Sequence, residues 1–135
     1  MRNLLKSTIK RHEGLRLKPY RCSAGKLTIG YGHNLDDKGI PLIVADDMLD
    51  IDIGVAEREL FATWPAYRDL SDNRKLALID MSFQMGIPGL KKFTRMHKAL
   101  GNHDYENAGL ELMNSLYATQ TPARAQENFE LITQG

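Results

Sequence analysis

One cysteine, Cys22, is the only thiol in the chain, so no disulfide can form within it. Long apolar runs are also missing. The longest, Ile40 to Ala45, is six residues and contains Pro41. A membrane span needs about 20 apolar residues, so neither a transmembrane helix nor a membrane anchor is expected. The basic N-terminus, MRNLLKSTIKRHEG, lacks the apolar segment of a signal peptide, which predicts a cytosolic location. Only four histidines occur, and His97 and His103 have no clustered partners. A zinc site needs three or four converging ligands, so neither metal nor cofactor is expected. No period of about 20–50 residues repeats, which excludes solenoid architectures.

What remains is an ordinary globular composition, 42% apolar and 26% charged over 135 residues. That predicts one domain with its own core. A net charge of +1 argues against a nucleic-acid binder, but its distribution is uneven. Residues 1–33 carry +7, with Glu13 as their only acid; residues 34–73 carry −7; residues 74–135 carry +1. The first third is suited either to an anionic polymer or to neutralisation by the acidic stretch that follows.

Leu4, Leu5 and Ile9 give residues 3–12 helical spacing, with Gly14 as the stop. Leu27, Ile29 and Tyr31 alternate with Thr28, Gly30 and Gly32, which predicts a strand. Ser23-Ala24-Gly25 turns it back on an extended run from Leu17 to Cys22. Gly30 and Gly32 leave one face of that strand bare, so that backbone can approach a ligand. Residues 36–39 read as a loop. A helix from Pro41 to Thr63 follows, ended by Trp64-Pro65. Further helices are expected at 71–85, 89–100 and 104–116, and from Thr121-Pro122 to about Thr133, with Thr121 as cap. The fold class is α+β, predominantly α, with one small N-terminal sheet.

Glu13 sits where the first helix gives way to the hairpin. A glutamate there can protonate a leaving oxygen or activate water, or simply pair with Arg11 or Arg16. Thr28 can hold a water or serve as a β-branched strand residue. Cys22 is either reactive or a small apolar filler. His12 and His33 are acid–base groups or structural.

Together these residues are specific. Glu13-Gly-Leu-Arg-Leu-Lys-Pro-Tyr20, Gly25 and Thr28-Ile-Gly-Tyr-Gly-His33 resemble the phage-type lysozymes, or endolysins, of glycoside hydrolase family 24. Glu13, Cys22 and Thr28 match that family's catalytic spacing of Glu, Asp or Cys, then Thr. Asp80-Met-Ser-Phe-Gln-Met-Gly86 resembles its core-helix segment, which usually begins with Asn, and Gln120-Thr-Pro-x-Arg124-Ala resembles its later arginine segment.

The resemblance implies a two-lobed lysozyme-like domain over 1–135. Its N-terminal lobe covers about 14–60 and its helical C-terminal lobe about 61–135, joined by a long helix, with helix 3–12 packed on the C-terminal lobe. It implies peptidoglycan as substrate, cut at the β-1,4 bond between N-acetylmuramic acid and N-acetylglucosamine. It gives Glu13 the role of general acid and Arg124 that of its partner. Thr28 positions water, and His33 and Asp52 form a structural pair. Gly30, Gln84 and Phe93 border the substrate.

Cys22 departs from the Asp of many relatives. As a thiolate it can activate water with inversion, attack the sugar, or act as a spacer; the first is preferred, with Arg21 among the candidate perturbers. The resemblance further implies a monomer held in the host cytoplasm until a holin releases it to lyse the cell. The competing class is a catalytically dead peptidoglycan-binding module.

Overall fold

The computed structural model describes all of residues 1–135. It is mostly helical with one three-stranded sheet, as the composition and periodicity predict. Contacts divide the chain into two compact units, Met1–Met48 and Leu49–Gly135. The break falls inside the long helix, where the sequence reading set it near residue 60, and the first helix belongs with the first unit.

The first unit opens with α1, Arg2–Glu13. Lys10, Arg11 and His12 in its last turn complement the helix dipole. Gly14, at φ 72°, ends it with its N–H on the Lys10 carbonyl. Strands β1 (Arg16–Arg21), β2 (Leu27–Gly30) and β3 (His33–Asn34) form an antiparallel sheet in that order. The β1–β2 turn closes through Cys22 N–H to the Lys26 carbonyl at 3.0 Å and Gly25 N–H to the Cys22 carbonyl at 2.8 Å.

The second strand is shorter than its alternation suggested. Gly30 and Gly32 both adopt φ 70°, a left-handed conformation that ends the strand. The chain reverses over Tyr31-Gly32, and β3 returns with Ile29 opposite His33 and Thr28 opposite Asn34. The two glycines therefore make a corner rather than a bare strand face. Residues 36–39 also differ from the expected loop. Helix α2, Leu35–Lys38, forms because the Asn34 side chain accepts the Asp37 N–H at 3.0 Å. Thr28 is the only buried residue of this unit.

Helix α3, Leu42–Thr63, runs from Pro41, whose carbonyl accepts from Val44 and Ala45, to Trp64-Pro65. A 3-10 turn over Pro65–Asp69 follows. Helix α4, Asp72–Leu90, starts on the Ser71 hydroxyl and breaks at Gly86, at φ 70°, so the expected stop holds but a further turn forms beyond it. That turn delays α5 to Thr94–Gly101.

The single helix expected at 104–116 is two. Helix α6, Tyr105–Met113, ends at Asn114, and Ser115 caps α7, Leu116–Gln120, by accepting the Ala118 N–H. Helix α8, Pro122–Gln134, begins with proline in the first turn, but Thr121 does not cap it. The Thr121 hydroxyl donates back to the Tyr117 carbonyl at 3.0 Å instead.

The core lies in this second unit. Leu60, Leu78, Met81, Leu90, Met96, Leu100, Leu112 and Ile132 are fully buried between α4, α5, α6 and α8. At its edge His97 stacks on Trp64, ring centroids 4.1 Å apart. His97 Nε2–H donates to the Leu90 carbonyl at 2.7 Å, which leaves Nδ1 to accept the Tyr67 hydroxyl at 2.6 Å. Burial holds the imidazole below its ordinary pKa and raises that of Tyr67.

The linkage has a definite sign. Because folding disfavours protonated His97, its contribution is complete above the unfolded value of about 6.5 and is lost as pH falls below it. Urea midpoints should therefore drop between about pH 7 and 5, and His97→Gln should flatten that slope. An unchanged slope in the variant would show that His97 is not the group responsible.

Candidate active site

The first unit carries Glu13, Cys22, Thr28, Gly30 and His33. Glu13 is the last residue of α1. Its side chain lies against the corner of the sheet, so that a Cβ at Gly32 would stand 2.6 Å from Glu13 Oε2. No side chain separates this carboxyl from the backbone of the β2–β3 reversal. The same corner is marked by Lys10, whose ammonium lies 5.1 Å from the Tyr31 ring centroid.

Cys22 and Thr28 are brought together on the hairpin. Thr28, 3% exposed, donates its hydroxyl proton to the Lys26 carbonyl at 2.8 Å. Cys22 is half-buried, and its thiol is held below its ordinary pKa. The largest cause is hydrogen bonding to the Lys26 backbone, then to that of Ala24, with the Thr28 hydroxyl contributing and desolvation opposing. Arg21, a perturber expected from sequence, is occupied elsewhere. Its guanidinium donates to the Gly25 carbonyl at 3.0 Å and lies 3.6 Å from Asp36. The signal for the actual cause was the turn sequence from Ser23 to Gly25, whose backbone favours the ionised sulfur.

His33 makes a backbone contact, Nε2 to the Gly39 carbonyl, that closes α2 back onto the sheet. Gly30 ends β2 opposite Arg16.

The second unit distributes its predicted residues over three hollows. Gln84 and Phe93 line an open cavity of about 700 Å³ together with Lys92, Arg95, Asn114 and Tyr117. Arg124 borders a smaller one, about 470 Å³, walled by Ile53, Phe61, Ile79 and Phe83. Asp52 borders a third of about 280 Å³ with Glu59 and Ser82.

Sequence reasoning missed the partner of Arg124 in this unit. Its Nε and one terminal nitrogen grip both Asp80 oxygens at 2.8 Å, and that nitrogen also reaches the Asp80 carbonyl at 3.1 Å. Asn128 donates to Asp80 and to the Tyr117 hydroxyl, each at 2.9 Å. The Arg124 side chain holds the Asp80 carboxyl below the usual carboxylate range. The available signal was Asp80 itself, an acid at the start of a segment that usually opens with Asn.

The arrangement offers a carboxyl, an ionisable thiol and a hydroxyl in one unit, and an open polar-aromatic cavity in the other. Comparison with known proteins gives the family. The family model for phage lysozyme matches residues 10–126. The chain is 29% identical over 160 aligned positions to a probable T4-type lysozyme 2 of Dictyostelium discoideum, covering 97% of this chain and 94% of that one. It is 36% identical over 109 positions to an endolysin of Acyrthosiphon pisum secondary endosymbiont phage 1, covering 78% and 72%. It is 28% identical over 155 positions to the pre-baseplate central spike protein Gp5 of Enterobacteria phage T4, covering 94% of this chain but 27% of that one.

Two outcomes are expected of this geometry. The rate of Cys22 alkylation by iodoacetamide should inflect below the free-thiol value of about 8.5, and Thr28→Val should move the inflection up. An inflection that stays put in the variant removes Thr28 from the account. Asp80→Ala should lower stability by about 1–2 kcal/mol, since it frees a part-exposed guanidinium and a buried amide. Chemical denaturation measures it.

Proposed function

The chain belongs to the phage lysozyme family and is a glycoside hydrolase of the lysozyme type, and on that premise we propose that it cuts the β-1,4 bond between N-acetylmuramic acid and N-acetylglucosamine in peptidoglycan. The observation that carries the reading is made within residues 1–48. A carboxyl rests on side-chain-free backbone at Gly32, and a thiol in the turn after β1 has its ionised form favoured.

Glu13 donates its proton to the glycosidic oxygen as the C1–O bond breaks, and positive charge develops on the ring. Water attacks C1 from the opposite face. The Cys22 thiolate receives the proton that this water sheds, and the product anomer is inverted. Thr28 acts beside Cys22. Its hydroxyl bonds the Lys26 carbonyl and lies beside the sulfur, and its oxygen can also accept from the water. A covalent role for Cys22 is disfavoured, because a thioglycoside accepts a proton poorly and turnover stalls.

In the second unit the 700 Å³ cavity supplies amide groups from Gln84, Asn114 and Gln120 and the rings of Phe93 and Tyr117. Amides suit sugar hydroxyls and acetamido groups, and rings suit the apolar faces of the pyranose. The similarity to a phage endolysin supports a role in host lysis. In that role the protein is a monomer that waits in the host cytoplasm and reaches the wall through a holin.

Glu13→Gln should lower kcat on purified peptidoglycan by about 10³-fold, and Cys22→Ser by about 10²-fold. Full activity in Glu13→Gln would remove Glu13 as the acid, and no hydrolysis by the unmodified protein would leave only a wall-binding module. Full activity in Cys22→Ser would make the thiol dispensable. NMR of the first product should show the α-anomer, and an initial β-anomer would sink inversion. Cytosolic expression without a holin should leave cells intact.

A further inference from the structure

We propose that Gly32 is a positioning residue for the proton donor, because the Glu13 carboxyl occupies the space a side chain at that position would fill. This deepens the reading of Glu13 as general acid and rests on it.

Two separate constraints meet at Gly32. The first is conformational: φ 70° is a left-handed backbone that disfavours any side chain. The second is spatial. A Cβ at position 32 would stand 2.6 Å from Glu13 Oε2, 2.9 Å from Cδ and 3.3 Å from Cγ. The first constraint is shared with Gly39, at φ 57°, where a Cβ would meet nothing within 4 Å. Within residues 1–48 the second is confined to Gly32. The other left-handed glycines of this unit, Gly14, Gly25 and Gly30, likewise have open space beside them.

The distinction decides what a methyl group would do. At Gly32 it meets the free end of a flexible side chain, not backbone. The clash is relieved cheaply if the Glu13 carboxyl swings away, so the fold loses little beyond the backbone strain. The chemistry loses more. The carboxyl oxygen must retreat by about 0.8 Å to reach ordinary contact at 3.4 Å. A misplacement of about 1 Å in a reacting group can reduce rate by about 10²-fold. Gly32 thus acts on the reaction through Glu13, and a methyl there leaves the sugar-binding cavity of the second unit chemically unchanged.

The test compares Gly32→Ala with Gly39→Ala on soluble uncross-linked glycan strands, with melting curves for both. Both variants carry left-handed strain and should melt lower than the parent by similar amounts. Gly32→Ala should lose about 30- to 100-fold in kcat with KM within twofold, whereas Gly39→Ala should keep kcat within threefold. A Gly32→Ala enzyme that loses no more kcat than Gly39→Ala overturns the proposal, as does a loss confined to KM.

Should Gly32→Ala fail to fold, the unmodified protein decides. Nuclear Overhauser contacts between the Gly32 α-protons and the Glu13 γ-protons are expected, and their absence overturns the proposal. Glu13→Gln separates the two levels. If it is inactive while Gly32→Ala is fully active, the positioning role alone fails. If Glu13→Gln is itself fully active, the reading of Glu13 as acid fails.

Discussion

The first unit depends on the left-handed corner at Gly30 and Gly32. A unit of 48 residues with one buried side chain has little apolar burial to hold it. Its order has to come from backbone geometry and hydrogen bonds. The two φ 70° residues reverse the chain within three positions and return β3 to β2. That return makes β2 the central strand and puts Thr28 between Tyr20 and Asn34. Asn34 then caps α2, and α2 reaches back to the start of β2. The Asp36 carboxylate accepts the Leu27 N–H at 2.7 Å, and Asp37 meets Lys26 at 3.0 Å. The loop of constraints closes at the Cys22–Lys26 turn, where the thiol sits. An exposed ion pair such as Lys26–Asp37 contributes little alone. Here it is one tie among several on the same short segment.

The second unit has the opposite economy, an apolar core braced by a polar knot. Asp80 on α4 binds Arg124 and Asn128 on α8, and Asn128 passes the contact to Tyr117 on α7. Asn128 is 2% exposed, so its amide needs both acceptors it has. The knot fixes α7 and α8 against α4, and with them Tyr117, a wall of the larger cavity. Phe93 meets that ring edge-on, centroids 6.4 Å apart. Hydrogen bonds thus hold the ring that the proposed sugar site uses.

The helices and the first hairpin were legible because their signals are local: spacing of apolar residues, Gly14 and Gly86 as stops, Pro41 and Pro122 as starts. Other features were hidden because tertiary or side-chain hydrogen bonds made the choice. Gly30 and Gly32 fit a strand by alternation, and only their φ values reveal a corner. Asn34 and Ser115 each nucleate a short helix through a side-chain cap, which overrides a loop in one case and divides a longer helix in the other. Thr121 carried a capping signature, but its hydroxyl found the Tyr117 carbonyl first. In the candidate site, the Glu13, Cys22, Thr28 pattern falls within one unit, and Cys22 and Thr28 lie together on the hairpin. The environment of the sulfur and the ligation of Arg124 depend on partners that spacing does not encode.

In the mechanism proposed above, a cysteine at position 22 asks more of the hairpin than an aspartate would. A carboxylate at position 22 is ionised at neutral pH almost regardless of its surroundings, because its pKa lies near 4. A thiol is not. Its charge depends on the N–H groups of the turn and on the Thr28 hydroxyl, which favour the anion only while the turn is closed. Fraying of the Cys22–Lys26 turn removes those donors and returns the sulfur to the free-thiol range, about 8.5. On the proposed reading of Cys22 as base, turn order and base strength are coupled, whereas an aspartate keeps them separate. On that reading the ties of Asp36, Asp37, Asn34 and Thr28 onto so short a segment favour the thiolate by keeping the turn closed.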